Sequence, residues 1–228
     1  MAIKLHEYAS RADLAEALAG GVAAVLAGGI AMEGHAALAV SGGSTPELFF
    51  EHLSREPIDW GAVTVFLVDE RYVPEHSDRS NARLVRERLL TDRASEATLV
   101  PFWRPNVTPE TACEEVATAL AQFDNGLDAC ILGMGTDGHT ASFFADGDNI
   151  DRATDPATTA LALPMQVPSQ PETRVTLTIA PIVKARLLAI HMEGEDKREV
   201  FERARKGADL PITRVLNAVD EPQVFWTA

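Results

Sequence analysis

Two cysteines among 228 residues leave no material for a disulfide framework. Cys113, in a helical-looking stretch, and Cys130, inside an apolar run, read as packing residues, so a reducing compartment is the expected setting. Basic residues are also scarce: 20 Lys and Arg against 34 Asp and Glu give a formal net charge of -14. Non-specific binding to nucleic acid or an anionic bilayer needs a basic field. Neither partner is expected, and an anionic small molecule would require a local basic pocket. The N-terminal stretch carries charges throughout and lacks a basic segment followed by an apolar one, so no signal peptide is expected. Apolar stretches look broken by glycine and charge well before the roughly 18 residues of a membrane span. The expected location is the cytoplasm. No pair of histidines has helical metal-ligand spacing and no Cys–His cluster occurs, so no zinc site is expected. Internal repeats, low-complexity tracts and long linkers are missing too, which leaves one domain over residues 1–228, with enough apolar residues for a single sizeable core.

What is present alternates. Ser10 with Asp13 three residues on resembles a capping box, and the Ala/Leu-rich segment to about Met32 has helical spacing. Residues 35–40 (HAALAV) form a short apolar run stopped by SGGSTP, with Pro46 placed as a first helical residue and the helix continuing to about Leu53. A second buried run, 63–68 (VTVFLV), stops at Asp69, Glu70 and Arg71. Asn81 can cap the helix that follows, and 109–123 reads as another helix. A third run, 127–132, ends in GMGTDGH. Strands at 174–179, 186–191 and 223–226 and a charged helix at 195–206 complete the pattern, with 146–159 as the best candidate for a long surface loop. Near-continuously apolar strands alternating with helices predict an α/β fold, a mostly parallel sheet with helices on both faces. Ligands of such sheets bind beyond the carboxyl ends of the strands, where SGGSTP, DERYV and GMGTDGH would converge.

These three clusters hold the residues able to do chemistry. Gly42 and Gly43, with Ser44, Thr45 and Pro46, can offer backbone N–H groups and two hydroxyls to a phosphate, or can simply make a tight turn with a capped helix. Gly133, Gly135 and Gly138 also satisfy the dinucleotide pattern G-x-G-x-x-G, but they lie mid-chain, a polar loop follows, and no strand ends in an acid about 20 residues on. The Asp137-Gly138-His139 ending offers something else: imidazole is a ready general base near neutral pH, and an adjacent carboxylate can orient it. The other five histidines sit in polar contexts or at strand ends. Arg71, Arg174 and Lys197 could together supply positive charge near a Gly-rich anion loop, although each alone is more often an ordinary surface charge.

Taken together, SGGSTP (41–46), VDERYV (68–73) followed by SN (80–81), LGMGTDGHTASFF (132–144), RVTLT (174–178) and GEDK (194–197) resemble the 6-phosphogluconolactonase family, within the glucosamine-6-phosphate isomerase/6-phosphogluconolactonase superfamily. The resemblance runs in the family's order from about Ser41 to Lys197. It implies a modified Rossmann-like fold and hydrolysis of the lactone made in the first oxidative step of the pentose phosphate pathway, with no cofactor. It implies His139 as general base with Asp137 beside it, and Arg71 on the substrate and its developing oxyanion. Gly42, Gly43, Ser44, Thr45, Arg174 and Lys197 would hold the 6-phosphate, with Asp69 nearby. The implied partner is a small sugar-phosphate lactone, on a monomer or small homo-oligomer.

Three other readings compete. The isomerase branch resembles the chain at the Gly loop and the DGH turn but continues as D-G-H-I-A-F-N-E-P, so Phe144 stands where its glutamate would be. A sugar-phosphate sensor would bring a helix-turn-helix and a basic face, and neither is evident. A serine hydrolase needs G-x-S-x-G, whereas 39–43 reads AVSGG.

Overall fold

The computed structural model describes residues 3–219 and 221–228; Met1, Ala2 and Asp220, which the single-domain reading 1–228 includes, lie outside the described residues. Seven strands form one parallel sheet in the order β1 (Lys4–Tyr8), β10 (Gln223–Thr227), β9 (Leu187–Glu193), β6 (Ala129–Gly133), β2 (Ala36–Val40), β3 (Val63–Leu67), β5 (Thr98–Val100). Helices α1 (Arg11–Glu33), α2 (Glu47–Leu53), α3 (Asn81–Arg88), α4 (Pro109–Leu120), α7 (Glu195–Arg205) and α8 (Pro211–Ala218) flank it, with short turns of helix at α5 (Ile150–Ala153) and α6 (Ile179–Ile182). Strand β2 is buried throughout, as its unbroken apolar run requires of a central parallel strand. From β2 the chain moves one way, to β3 and β5, and from β6 it moves the other way, to β9 and β10. The gap between β2 and β6 is therefore the topological switch point, the place where loops diverge and leave a crevice at the carboxyl edge.

Helix α1 starts where Ser10 accepts a hydrogen bond from the Asp13 N–H at 3.1 Å and ends at Gly34 in the left-handed region. Residues 11–33 are one helix, as the spacing predicts, but the expectation that the longest apolar stretches stop short of a membrane span does not hold here: this helix is long and apolar enough by length and composition to cross one. Leu14, Leu18, Val22 and Leu26, at four-residue spacing, are fully buried in the core. Cys113 and Cys130 are both buried and unpaired, and burial pushes the Cys113 thiol up to about 12 and that of Cys130 further.

The sequence reading needs four corrections. The run from Arg174 does not join the parallel sheet. As β8 (Arg174–Leu177) it forms a separate antiparallel sheet with β4 (Asp69–Arg71) and β7 (Ala162–Met165), so Asp69 to Arg71 is a strand and not only the end of one. Ser80, rather than Asn81, caps α3, leaving the Asn81 side chain free for other work. Pro46 occupies the cap position of α2, one residue before the helix. The segment 146–159 contains α5, and Asp146 and Asp148 tie it to the β7–β8 connection by accepting from the N–H groups of Ser169 and Gln166. Elements β1, β5, β7, α6 and α8 were not foreseen.

Candidate active site

Strand β2 ends at the switch point, and its loop is stitched to that of β6: the Gly133 N–H donates to Ser41 Oγ at 3.1 Å, and the Ser41 N–H to the Ile131 carbonyl at 3.0 Å. Gly42 has no room for a side chain, since a Cβ there would collide with the Asn81 carboxamide, whose Nδ2–H donates to the Asp69 carbonyl at 2.8 Å. Further along the loop, Thr45 Oγ1 accepts from Lys197 Nζ at 3.0 Å. Lys197 comes from the first turn of α7, directly beyond β9. Burial pulls the pKa of its ammonium group down, with the Glu193 charge acting in the opposite sense.

The loop after β6 builds a second wall. Its turn is closed by Gly138 N–H to the Gly135 carbonyl at 3.0 Å and Gly135 N–H to the His139 carbonyl at 2.9 Å. Within it one carboxylate oxygen, Asp137 Oδ1, accepts both the His139 N–H at 3.1 Å and the imidazole Nδ1 at 2.5 Å. The hydrogen bond from His139 holds the Asp137 carboxyl below the usual carboxylate range. An ionised partner at Nδ1 assigns the proton to that nitrogen and leaves Nε2 with a lone pair, the tautomer a base requires. The imidazole stacks on the Phe144 ring, centroids 4.3 Å apart and planes 18° from parallel.

The third wall is the small sheet. Because β4 and β8 run antiparallel, Arg71 and Arg174 stand directly opposite one another. Like charges so placed must each be held by something else. Arg71 donates to the Arg79 carbonyl at 2.9 Å and to Asn81 Oδ1 at 3.4 Å. Arg174, only 4% exposed, donates to Gln170 Oε1 at 2.8 Å and lies 3.8 Å from Asp69 Oδ2, which also accepts from Ser142 Oγ at 2.6 Å. Burial draws the Arg174 pKa down and Asp69 opposes that. Glu70 points the other way, into full burial. It accepts from the N–H groups of Arg71, Asn81 and Ala82 at 2.8 Å each and from Ser80 Oγ at 3.1 Å, fixing β4 to the head of α3. Burial pushes this carboxyl up to about 7 against the pull of the three N–H groups.

The walls enclose a cavity of about 560 Å³, and all the candidate residues line it: Gly42, Gly43, Ser44, Thr45, Asp69, Arg71, Asp137, His139, Arg174 and Lys197. Three cations thus meet in one cleft of an acidic protein. Sequence reasoning missed Asn81, Phe144 and Gln170, which also line it, and Glu70 and Ser142, which brace it. Asn81 and Phe144 fall inside the motifs quoted above; Gln170, in the Pro-flanked β7–β8 connection, carries no local signal.

The family described as glucosamine-6-phosphate isomerases/6-phosphogluconolactonase matches this chain over residues 9–226. A 6-phosphogluconolactonase of Rhizobium meliloti is 44% identical over 99% of this chain and 99% of its own length; one of Mesorhizobium japonicum is 48% identical over 97% and 94%. The crystal structure of a 6-phosphogluconolactonase from Shewanella baltica superimposes with a TM-score of 0.92 at 35% identity, covering 99% of this chain and 98% of that one. A family match along nearly the whole chain, with relatives this similar over their full lengths, has one meaning: the chain belongs to the glucosamine-6-phosphate isomerase/6-phosphogluconolactonase family.

Proposed function

We propose that this protein is a 6-phosphogluconolactonase that opens 6-phosphoglucono-δ-lactone by His139-assisted attack of water on the lactone carbonyl. The observation that carries the reading is the Asp137–His139 pair, its Nδ1 bonded and its Nε2 unencumbered, in one cleft with Arg71, Arg174 and Lys197. Nε2 takes a proton from water as the water oxygen bonds to the carbonyl carbon. Asp137 steadies the imidazolium, and Arg71 offers positive charge to the oxyanion. Collapse of the tetrahedral intermediate breaks the bond to the ring oxygen, which receives the proton back from Nε2, and the carboxylic acid formed ionises. Gly42, Gly43, Ser44, Thr45, Lys197 and Arg174 hold the 6-phosphate. Asp69, bonded by Ser142, keeps Arg174 in place. An aldose–ketose isomerase of the same family would need an acid where the buried Phe144 ring lies.

The phosphate assignment has a direct test. Glucono-δ-lactone, which lacks the phosphate, is expected to be a poor substrate, and Lys197→Ala to raise KM for the phosphorylated lactone by about tenfold while kcat changes little, the loss of one charge-assisted hydrogen bond. Steady-state rates on both lactones, corrected for spontaneous hydrolysis, measure this. Equal efficiency on the two lactones would remove the phosphate site.

A further inference from the structure

We infer that Phe144 is a positioning residue for this reaction, a single buried ring that sets the plane of the His139 imidazole and the place of the Arg174 guanidinium together; the inference rests on the lactonase reading above. The hydrogen bonds that His139 donates to Asp137 do not fix the imidazole alone. Both end on one acceptor oxygen, Oδ1, and the pair sits at the rim of the cleft, with the Asp137 side chain 59% and the His139 side chain 33% exposed. Water competes for such a bond, and a single acceptor at Nδ1 leaves the ring able to swing about that contact. The stack on Phe144, at 4.3 Å and 18°, supplies the restraint that is missing, because it fixes the ring plane and so the direction of the Nε2 lone pair.

Phe144 is itself well held. It is 4% exposed, its N–H donates to the Ser142 carbonyl at 3.1 Å, and its carbonyl accepts from the Gly147 N–H at 3.0 Å. Ser142 is in turn bonded to Asp69, so the turn that carries the ring is tied to the sheet that carries Arg71 and Arg174. Arg174 Cζ lies 5.4 Å from the centroid of the same ring, within the range where an aromatic face attracts a guanidinium. Arg174 is almost fully desolvated and its Nε–H has no partner among the described residues, which makes that face a larger share of its surroundings. One apolar side chain thereby registers the base against a substrate-binding cation. Misplacing a reacting group by about 1 Å costs rate far out of proportion to the energy of the contact that was lost.

The test is a cycle of four proteins, wild type, Phe144→Leu, His139→Asn and the double variant, with Phe144→Tyr as the conservative control; thermal unfolding confirms the fold of each, and Phe144→Met replaces the leucine variant if that one unfolds. In the wild-type background Phe144→Leu is expected to lower kcat about tenfold through His139 and to raise KM about threefold through Arg174. Phe144→Tyr, which keeps the ring, should restore both to within about twofold of wild type. In the His139→Asn background the same leucine should leave kcat within about twofold while the rise in KM persists, a non-additivity that a merely structural role would not give. An equal loss of kcat in both backgrounds, or no loss in the first, would overturn the inference while leaving His139 as the base. Wild-type turnover by His139→Asn would remove the base and this inference with it.

Discussion

His139→Asn is expected to lower kcat by about 10²–10⁴-fold, the usual contribution of a general base, while KM for the phosphorylated lactone changes little. Asparagine is the informative replacement because its amide N–H can stand in for Nδ1 and keep the bond to Asp137, so the turn is preserved while nothing remains at the position of Nε2. The residues proposed to hold the phosphate lie on other elements, the β2 loop, β8 and α7, and are untouched. The same mechanism fixes the direction of the pH dependence. The carboxyl of Asp137 is held below the ordinary range by its bond to His139, so it stays ionised as the medium becomes mildly acidic. Its contribution to the turn is present above the unfolded-state value and is lost only as pH falls through the lower folded one. A general base must keep a free lone pair to take a proton from water, so kcat/KM is expected to fall as pH falls. Turnover within a few-fold of wild type by a folded His139→Asn protein, after subtraction of the spontaneous rate, would falsify the assignment.

The parts of this site that local sequence could reveal are those whose physics is local. Runs such as 36–40 and 63–67 are apolar because both faces of a central parallel strand are covered, and a Gly-rich or charged stretch after each marks the carboxyl edge. Strand β4 was misread because three charged residues after an apolar run look like its end. They pair instead with β8, Asp69 opposite Thr176 more than a hundred residues away, and only that long-range pairing makes them a strand. Strand β1 has little apolar content and exists because the other end of the chain, β10, pairs with it. Ser80 and Asn81 are both good capping residues; the choice between them is made by Glu70, whose buried carboxylate claims the Asn81 and Ala82 N–H groups and turns Asn81 toward Gly42. Gln170 reaches Arg174 from a loop with no signal at all. Helix α1 is legible in the sequence because the buried stripe Leu14, Leu18, Val22 and Leu26 recurs at about one helical turn.

The G-x-G-x-x-G match is the instructive case, since the pattern is real and its reason differs from the one the motif suggests. At Gly135 an added Cβ would fall far inside van der Waals contact with His139 Cε1 and Nδ1 and lie 2.5 Å from Asp137 Oδ1. Glycine is required there by the close approach of the Asp–His pair, not by a pyrophosphate. Gly135→Ala puts no strain on the backbone, because Gly135 is not among the glycines with positive φ. What must yield is the pair itself, which can move outward since both side chains are partly exposed. The expected result is a folded protein, Tm within about 2–4 °C of wild type as for a cost of roughly 1 kcal/mol, with kcat down by about 10²-fold from a displacement near 1 Å. KM should hold, because Lys197 and Thr45 are on another wall. Gly138→Ala makes the useful contrast: there φ is +82° and the Cβ would press on Leu210 at 3.1 Å, so stability falls together with activity. Thermal unfolding and steady-state kinetics on the two variants separate the effects. Gly135→Ala turning over within about threefold of wild type would mean that the placement of the Asp137–His139 pair does not limit the reaction.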